Sequence, residues 1–256
     1  MVPIVVLAVV GALPLLAQSA SVGPNATATP AFFQWFFYSG NHPVAKKWDF
    51  HFDGGWRQNL ETPTRQWLVR PGLNYRLNRN VQLSAAYSYF NTRPDGLDVR
   101  EGSAPEHRLQ EQLSVSKRIG RLGTRHRFRA DQRFLGSGWV PGVARTWNTQ
   151  HRARYQFRTD IPLGEGGARG RVALRLYNEI FFRFDHADGA ALDKNRVFGG
   201  FAIRPARDFV IESGAFWQLR KPPHGDPLEN GMFFLLGLRS TVSFRRLFGH
   251  RASPGS

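Results

Sequence analysis

Arg125-His126-Arg127-Phe128-Arg129-Ala130-Asp131-Gln132-Arg133-Phe134 places Arg, Arg, Arg, Asp and Arg at its odd positions. His, Phe, Ala, Gln and Phe fill the even ones. Side chains alternate across a β-strand, so this run has one cationic face and one mostly apolar face. A second copy spans 152–161, with Arg152, Arg154, Gln156, Arg158 and Asp160 opposite Ala153, Tyr155, Phe157, Thr159 and Ile161. The polar face of a soluble sheet usually mixes Thr, Ser, Lys and Glu and meets bulk water. Repeated Arg with an occasional Asp instead fits a polar interior in which charges must find partners. An inside-out β-barrel, with lipid outside and a polar lumen within, has that arrangement.

Working outward, the same alternation recurs. Trp48, Phe50, Phe52, Gly54 and Trp56 lie opposite Asp49, His51, Asp53 and Arg57. Trp67, Val69, Leu73, Tyr75 and Leu77 lie opposite Gln66, Arg70, Asn74 and Arg76. From 171 to 184 Arg171, Arg175, Tyr177, Glu179 and Arg183 alternate with Val172, Leu174, Leu176, Ile180 and Phe182. On the strand 107–117, Glu111 falls on the apolar face, as a bulge or a position near a membrane interface would. Expected long loops at 92–105, 135–148, 185–195 and 221–229 alternate with turns at 78–80, 119–123, 164–170 and 204–208. That asymmetry implies short periplasmic turns and longer extracellular loops. Trp48 and Trp56 sit roughly 26 Å apart along an extended strand, a spacing that tilt reduces to roughly 20 Å, near that of two interfacial aromatic girdles. The fold expected is therefore all-β: an antiparallel transmembrane β-barrel of about 10 strands, within 10–12. Counting from Lys47 gives ten. The aromatic segment 32–38, followed by a turn at 40–43, makes eleven and leaves the parity open.

The expected organisation is a signal peptide at 1–19, a flexible lead-in at 20–31, the barrel at 32–244 and a basic tail at 245–256. The apolar core of the signal spans 4–16, too short to cross a bilayer as a helix, and no Lys or Arg precedes it. The export signal and the barrel pattern together point to the bacterial outer membrane, with its lipid as the surrounding partner.

Lys and Arg total 35 against 19 Asp and Glu, a net charge of +16. Nucleic acid is the usual partner of such a balance, but these cations are spread through strands rather than gathered on a tail or helix, so it is not expected. The chain has no Cys, and its eight His show no paired ligand spacing, so neither a metal nor a cofactor is expected. No G-x-S-x-G occurs. His107, His126 and His151 with nearby Ser are the candidates for an outer-membrane lipid-modifying hydrolase, an alternative in which no catalytic residue can be assigned.

Several short motifs resemble a bacterial outer-membrane barrel family catalogued as domain of unknown function 2490. They are the hairpin 72–83, which is echoed within the chain at 200–211; Glu106-His107-Arg108; His126-Arg127-Phe128-Arg129 with Gln132-Arg133-Phe134; Arg154-Tyr155; Asn178-Glu179; and Asn195-Arg196-Val197-Phe198. The resemblance covers roughly 32–244 and implies fold and location. The family has no assigned catalytic residues, so none is carried over.

The candidate site is the charged lumen: Arg108, Arg125, Arg127, Arg129, Arg133, Arg152, Arg154, Arg158 and Arg175 with Glu106, Asp131, Asp160, Glu179 and Glu212. One reading is a structural network of bidentate pairs. A second is a site for an anionic small molecule or lipid headgroup left by surplus Arg, and a third is a narrow anion-selective pore. If the two Arg strands form a hairpin, like charges face each other and carboxylates must intercalate, with Glu106, Glu179 and Glu212 the leading candidates. Arg129→Leu is then expected to strand a buried carboxylate.

Overall fold

The computed structural model describes residues 31–61, 64–94, 102–163, 171–185, 189–221 and 228–243. The expected signal peptide, all of the lead-in but Ala31, the turn at 164–170 and the basic tail lie outside the described residues.

The chain is all-β. Its strands are β1 (Ala31–Pro43), β2 (Trp48–Asn59), β3 (Thr64–Arg76), β4 (Val81–Pro94), β5 (Ala104–Ile119) and β6 (Leu122–Gly136). They continue with β7 (Trp147–Leu163), β8 (Val172–Asp185), β9 (Gly189–Ala206), β10 (Phe209–Arg220) and β11 (Glu229–Ser240). Each pairs antiparallel with its sequence neighbour, and the sheet closes on itself through β1 and β11. That last pair is parallel, from Ala31↔Gly231 to Gly40↔Ser240. The parity question is thereby answered at eleven. Alternating strand directions around an odd-numbered ring cannot be antiparallel at every seam, so one pair must run parallel.

Three sequence expectations need correction. Residues 40–43 do not turn; they continue β1, with Gly40 opposite Phe52 and Pro43 opposite Asp49. The expected loop at 185–195 is mostly ladder, because β9 begins at Gly189 and pairs with Asp185. Its Gly and Asp resemble loop composition, but the β8 neighbour supplies the backbone partners, with a register shift at Phe181/Phe182. At Glu111 there is no bulge. The β4–β5 and β5–β6 ladders run through it without a shift, and it projects outward, exposed, between Ala85 and Ala130.

Alternation sends large apolar side chains outward all around the barrel. Trp67, Leu73, Leu109, Phe128, Phe182, Phe201, Phe234 and Leu236 are all exposed, from 41% to 52%. Register sets Trp48 against Tyr75 near the short-turn end and Trp56 against Trp67 near the opposite end. These pairs have ring centroids 4.8 and 6.2 Å apart.

The interior divides into two halves. Side chains from β1 and β8–β11 form an aromatic cluster of Phe198, Phe216, Phe233 and Leu235, packed by Phe33, Trp35, Phe37 and Tyr177. Phe33 stacks on Phe233 at 4.1 Å, and Phe233 on Phe216 at 4.5 Å. The side contributed by β2–β7 is mostly polar, with Leu68 and Phe90 buried in it, and buried Arg175, Glu179, Asp193 and Glu212 extend the polar part onto β8–β10.

Candidate functional site

At mid-height, inward residues on six successive strands join in one chain of hydrogen bonds. Arg70 on β3 donates to Asp53 on β2 at 2.7 Å and to Ser88 on β4 at 2.9 Å. Ser88 donates to Gln110 on β5 at 2.8 Å, and Gln110 donates to Asp131 on β6 at 2.7 Å. Arg154 on β7 closes the run with a 2.6 Å bond to Asp131. Asp53 and Arg70, and Gln110 and Asp131, are register partners, whereas Ser88–Gln110 and Asp131–Arg154 join diagonal neighbours on the same inward face. Ser88 and Asp131 are almost fully buried, at 0% and 2% exposure, where an unmade hydrogen bond would be costly.

Asp131 is the hub. Arg152 donates to its Oδ2 from Nε and Nη2 at 3.1 and 3.0 Å, on the oxygen that Arg154 also reaches. Register puts Arg129 opposite Arg154 and Arg125 opposite Arg158, so like charges do face each other across β6 and β7. The carboxylate that separates Arg152 from Arg154 belongs to β6 itself. Of the three acids expected to intercalate, Glu106 takes Arg133 at 2.7 Å and Arg108 at 2.6 Å, and Glu179 takes Arg127 at 2.9 Å. Glu212 binds Arg175 and Arg239 and neither Arg strand. Arg129 pairs with no carboxylate among the described residues: its Nε and Nη2 donate to Gln112 Oε1 at 3.0 and 2.5 Å. The expectation that Arg129→Leu strands a buried acid is therefore corrected.

Toward the end holding the longer loops, Phe181 is 1% exposed and lies within cation–π range of four cations. Arg152, Arg154, Lys194 and Arg196 stand 5.3, 5.0, 5.5 and 4.9 Å from its ring centroid. A ring face offers cations a partner without a countercharge, and it lets this region hold more Arg than acid.

Toward the short-turn end, Arg158, Asp160, Arg175, Glu212 and Arg239 form a chain in which each carboxylate is shared between two Arg. Asp160 accepts from Arg175 at 2.7 Å and lies 3.2 Å from Arg158. Glu212 accepts from Arg175 at 2.7 Å and Arg239 at 2.8 Å. The fourteen residues singled out from the sequence thus face the interior, twelve of them in four separate ion-pair clusters and Arg125 and Arg129 bonded to neutral side chains.

Two cavities remain among these groups, of about 200 Å³ and about 100 Å³. Trp35, Leu68, Arg70, Arg154 and Arg196 line both and form a waist between them. The larger is lined by Arg125, Arg127, Arg129 and Arg158 from β6 and β7, with Tyr177 beside Arg158 in the ladder, and by Trp35 and Phe37 from β1.

The sequence matches a family model described as protein of unknown function (DUF2490) over residues 32–229, from β1 to the first residue of β11. The chain belongs to DUF2490. No curated protein is similar to it in sequence.

In this DUF2490 barrel the three His weighed for hydrolysis face outward, away from the interior. His107 bonds the Tyr87 hydroxyl at 2.6 Å, and His126 bonds that of Tyr155 at 2.9 Å. His151 stands opposite Gln132 in the ladder. None of the three hydrogen-bonds to a described Ser. Sequence reasoning missed His51, which lines the larger cavity between Asn41 at 2.8 Å and Asp53 at 3.1 Å. Alternation placed His51 inward, but nothing local marked Asn41 as its partner, because 40–43 read as a turn. Ser88, Gln110, Gln112 and Lys194 were missed for the same reason: their roles depend on which strand lies alongside. Among the described residues, no group of His, Asp and Glu has the arrangement of a metal site.

Proposed function

We propose that this DUF2490 protein is a bacterial outer-membrane β-barrel, exported through the signal sequence read at 1–19, whose cationic interior binds a small anion. The observation that carries the reading is the inverted distribution of side chains. Leu109, Phe128 and Leu236 face outward at 47% to 49% exposure, while Arg108, Arg152, Arg175, Asp131 and Glu212 are buried at 2% to 6%. Water would leave such a wall unfavourably solvated, whereas hydrocarbon matches it. The two levels of paired aromatics, Trp48 with Tyr75 and Trp56 with Trp67, are spaced as interfacial girdles are.

The carboxylates make the interior a structural network, yet they do not answer all of its cations. Arg57, Arg125 and Arg129 have no carboxylate partner among the described residues, and Arg125 and Arg129 line the larger cavity. The waist favours a bound anion over a continuous pore. Fractionation of cells and gel migration with and without heating test the membrane reading. The protein is expected with the outer membrane and to migrate faster before boiling than after. Recovery as a soluble periplasmic protein would overturn it.

A further inference from the structure

A local excess of positive charge lies in the group nearest the short turns. Arg125, Arg158, Arg175 and Arg239 gather there with only Asp160 and Glu212 between them. Arg125 is repelled by Arg239, Arg127 and Arg175, and Arg158 by Arg175, Arg125 and Arg239, while Asp160 attracts both. Four guanidinium groups face two carboxylates, so two positive charges go unanswered. Among the described residues, Arg158 Nε is buried without a hydrogen-bond partner, and the one hydrogen bond of Arg125 goes to the Ser116 hydroxyl at 3.2 Å. Both side chains line the cavity of about 200 Å³. Arg125 stands directly opposite Arg158 in the ladder, and Asp160, the acid beside them, is shared with Arg175, so the pair costs stability unless further negative charge sits against it.

Building on the anion reading above, we propose that Arg125 and Arg158 form a subsite for a phosphate group, with Arg239 as its third contact. A phosphate carries roughly −1.5 to −2 at neutral pH, which matches the unanswered charge, and its oxygens accept the paired N–H groups of a guanidinium. Size narrows the class further. The cavity is only somewhat larger than one of about 150 Å³ that holds a benzene, so it takes free phosphate or a terminal phosphomonoester and excludes a phosphorylated disaccharide as a whole. The rings of Trp35 and Phe37 in the same cavity suit a short apolar stem on such an ester.

The test is calorimetric titration of the purified, folded barrel in detergent with inorganic phosphate and, separately, with dihexanoyl phosphatidic acid. Arg125→Gln and Arg158→Gln are compared with Arg79→Gln, a change at an exposed turn. Each cavity variant is expected to weaken binding at least about tenfold, the loss of one or two charged hydrogen bonds, and the turn variant to leave it unchanged. Tighter binding of the ester than of inorganic phosphate assigns the subsite to a headgroup, and the reverse assigns it to the free ion. A second readout is thermal unfolding without ligand. Arg125→Gln is expected to raise the melting temperature or leave it unchanged, because it relieves repulsion, whereas a purely structural Arg125 would lower it. Phosphate binding that survives both cavity variants overturns the subsite. Binding of acetate or chloride but not phosphate overturns the ligand class, and failure of every anion to bind removes the broader reading as well.

Discussion

Asp131 and Arg129 sit two residues apart on the same face of one strand, and the structure gives them unequal weight. Asp131 holds Arg152 and Arg154, so Asp131→Leu takes the carboxylate from Arg154 and leaves Arg152 only its longer 3.6 Å pair with Asp193; it is expected to destabilise the barrel by about 3–5 kcal/mol. Arg129→Leu removes hydrogen bonds to a neutral amide and is expected to cost about 1–2 kcal/mol. Urea unfolding of both variants in lipid checks the order, and equal losses would mean that Asp131 is not the hub. Glu111 presents the opposite case, an exposed carboxylate at mid-strand among outward apolar neighbours. In a bilayer Glu111→Leu is expected to stabilise the fold. A loss of stability in the same assay would point to an outward partner for this acid.

The β1–β11 seam and the β9–β10 contact are the elements whose geometry is most exposed to test. Tyr38 and Leu238 are register partners on the outward face of the parallel seam, and the chain has no Cys of its own. Tyr38→Cys with Leu238→Cys is therefore expected to cross-link under mild oxidation, seen as a gel shift abolished by reductant. A ten-strand barrel closed by β2 against β11 would yield no cross-link. At the β9–β10 contact, Gly200 and Gly214 are register partners beneath the Phe198 ring. A Cβ on Gly214 would lie 2.5 Å from the Gly199 carbonyl oxygen and 2.6 Å from Gly200 Cα. Backbone cannot withdraw as a flexible side chain can, so Gly214→Ala is expected to cost about 1–3 kcal/mol by overpacking.

At the scale of the molecule, the sign of one substitution separates lipid from water outside the wall. Phe128 is 47% exposed on the outward face. In a soluble barrel Phe128→Lys would be neutral or would improve solubility. In a membrane it is expected to cost about 2–4 kcal/mol near mid-bilayer and to lower the amount of folded protein recovered with outer membranes. Equal or greater recovery of the variant would count against the membrane reading. The odd strand number has a related consequence. It brings β1 in from the end that holds the longer loops and leaves β11 at the short-turn end, so the two described ends of the barrel lie on opposite sides.

What the sequence determined by itself is periodic. An alternation of two residues fixes which side chains share a face, and in 125–134 and 152–161 that was enough to give strands, an inside and an outside, and the closed all-β class. It also placed every candidate charge in the interior, because facing is a local property of an extended chain. The tertiary structure decided the partners. Asp131, not one of the more distant acids, separates Arg152 from Arg154, and Gln112 rather than a carboxylate holds Arg129, because register sets who stands beside whom and register is a property of two strands. The same holds for 40–43 and 189–195. Gly, Asn, Asp and Pro read locally as turns, but ladder bonds from β2 and β8 kept them extended. The strand count followed from closure, since only β11 could supply β1 with its second neighbour.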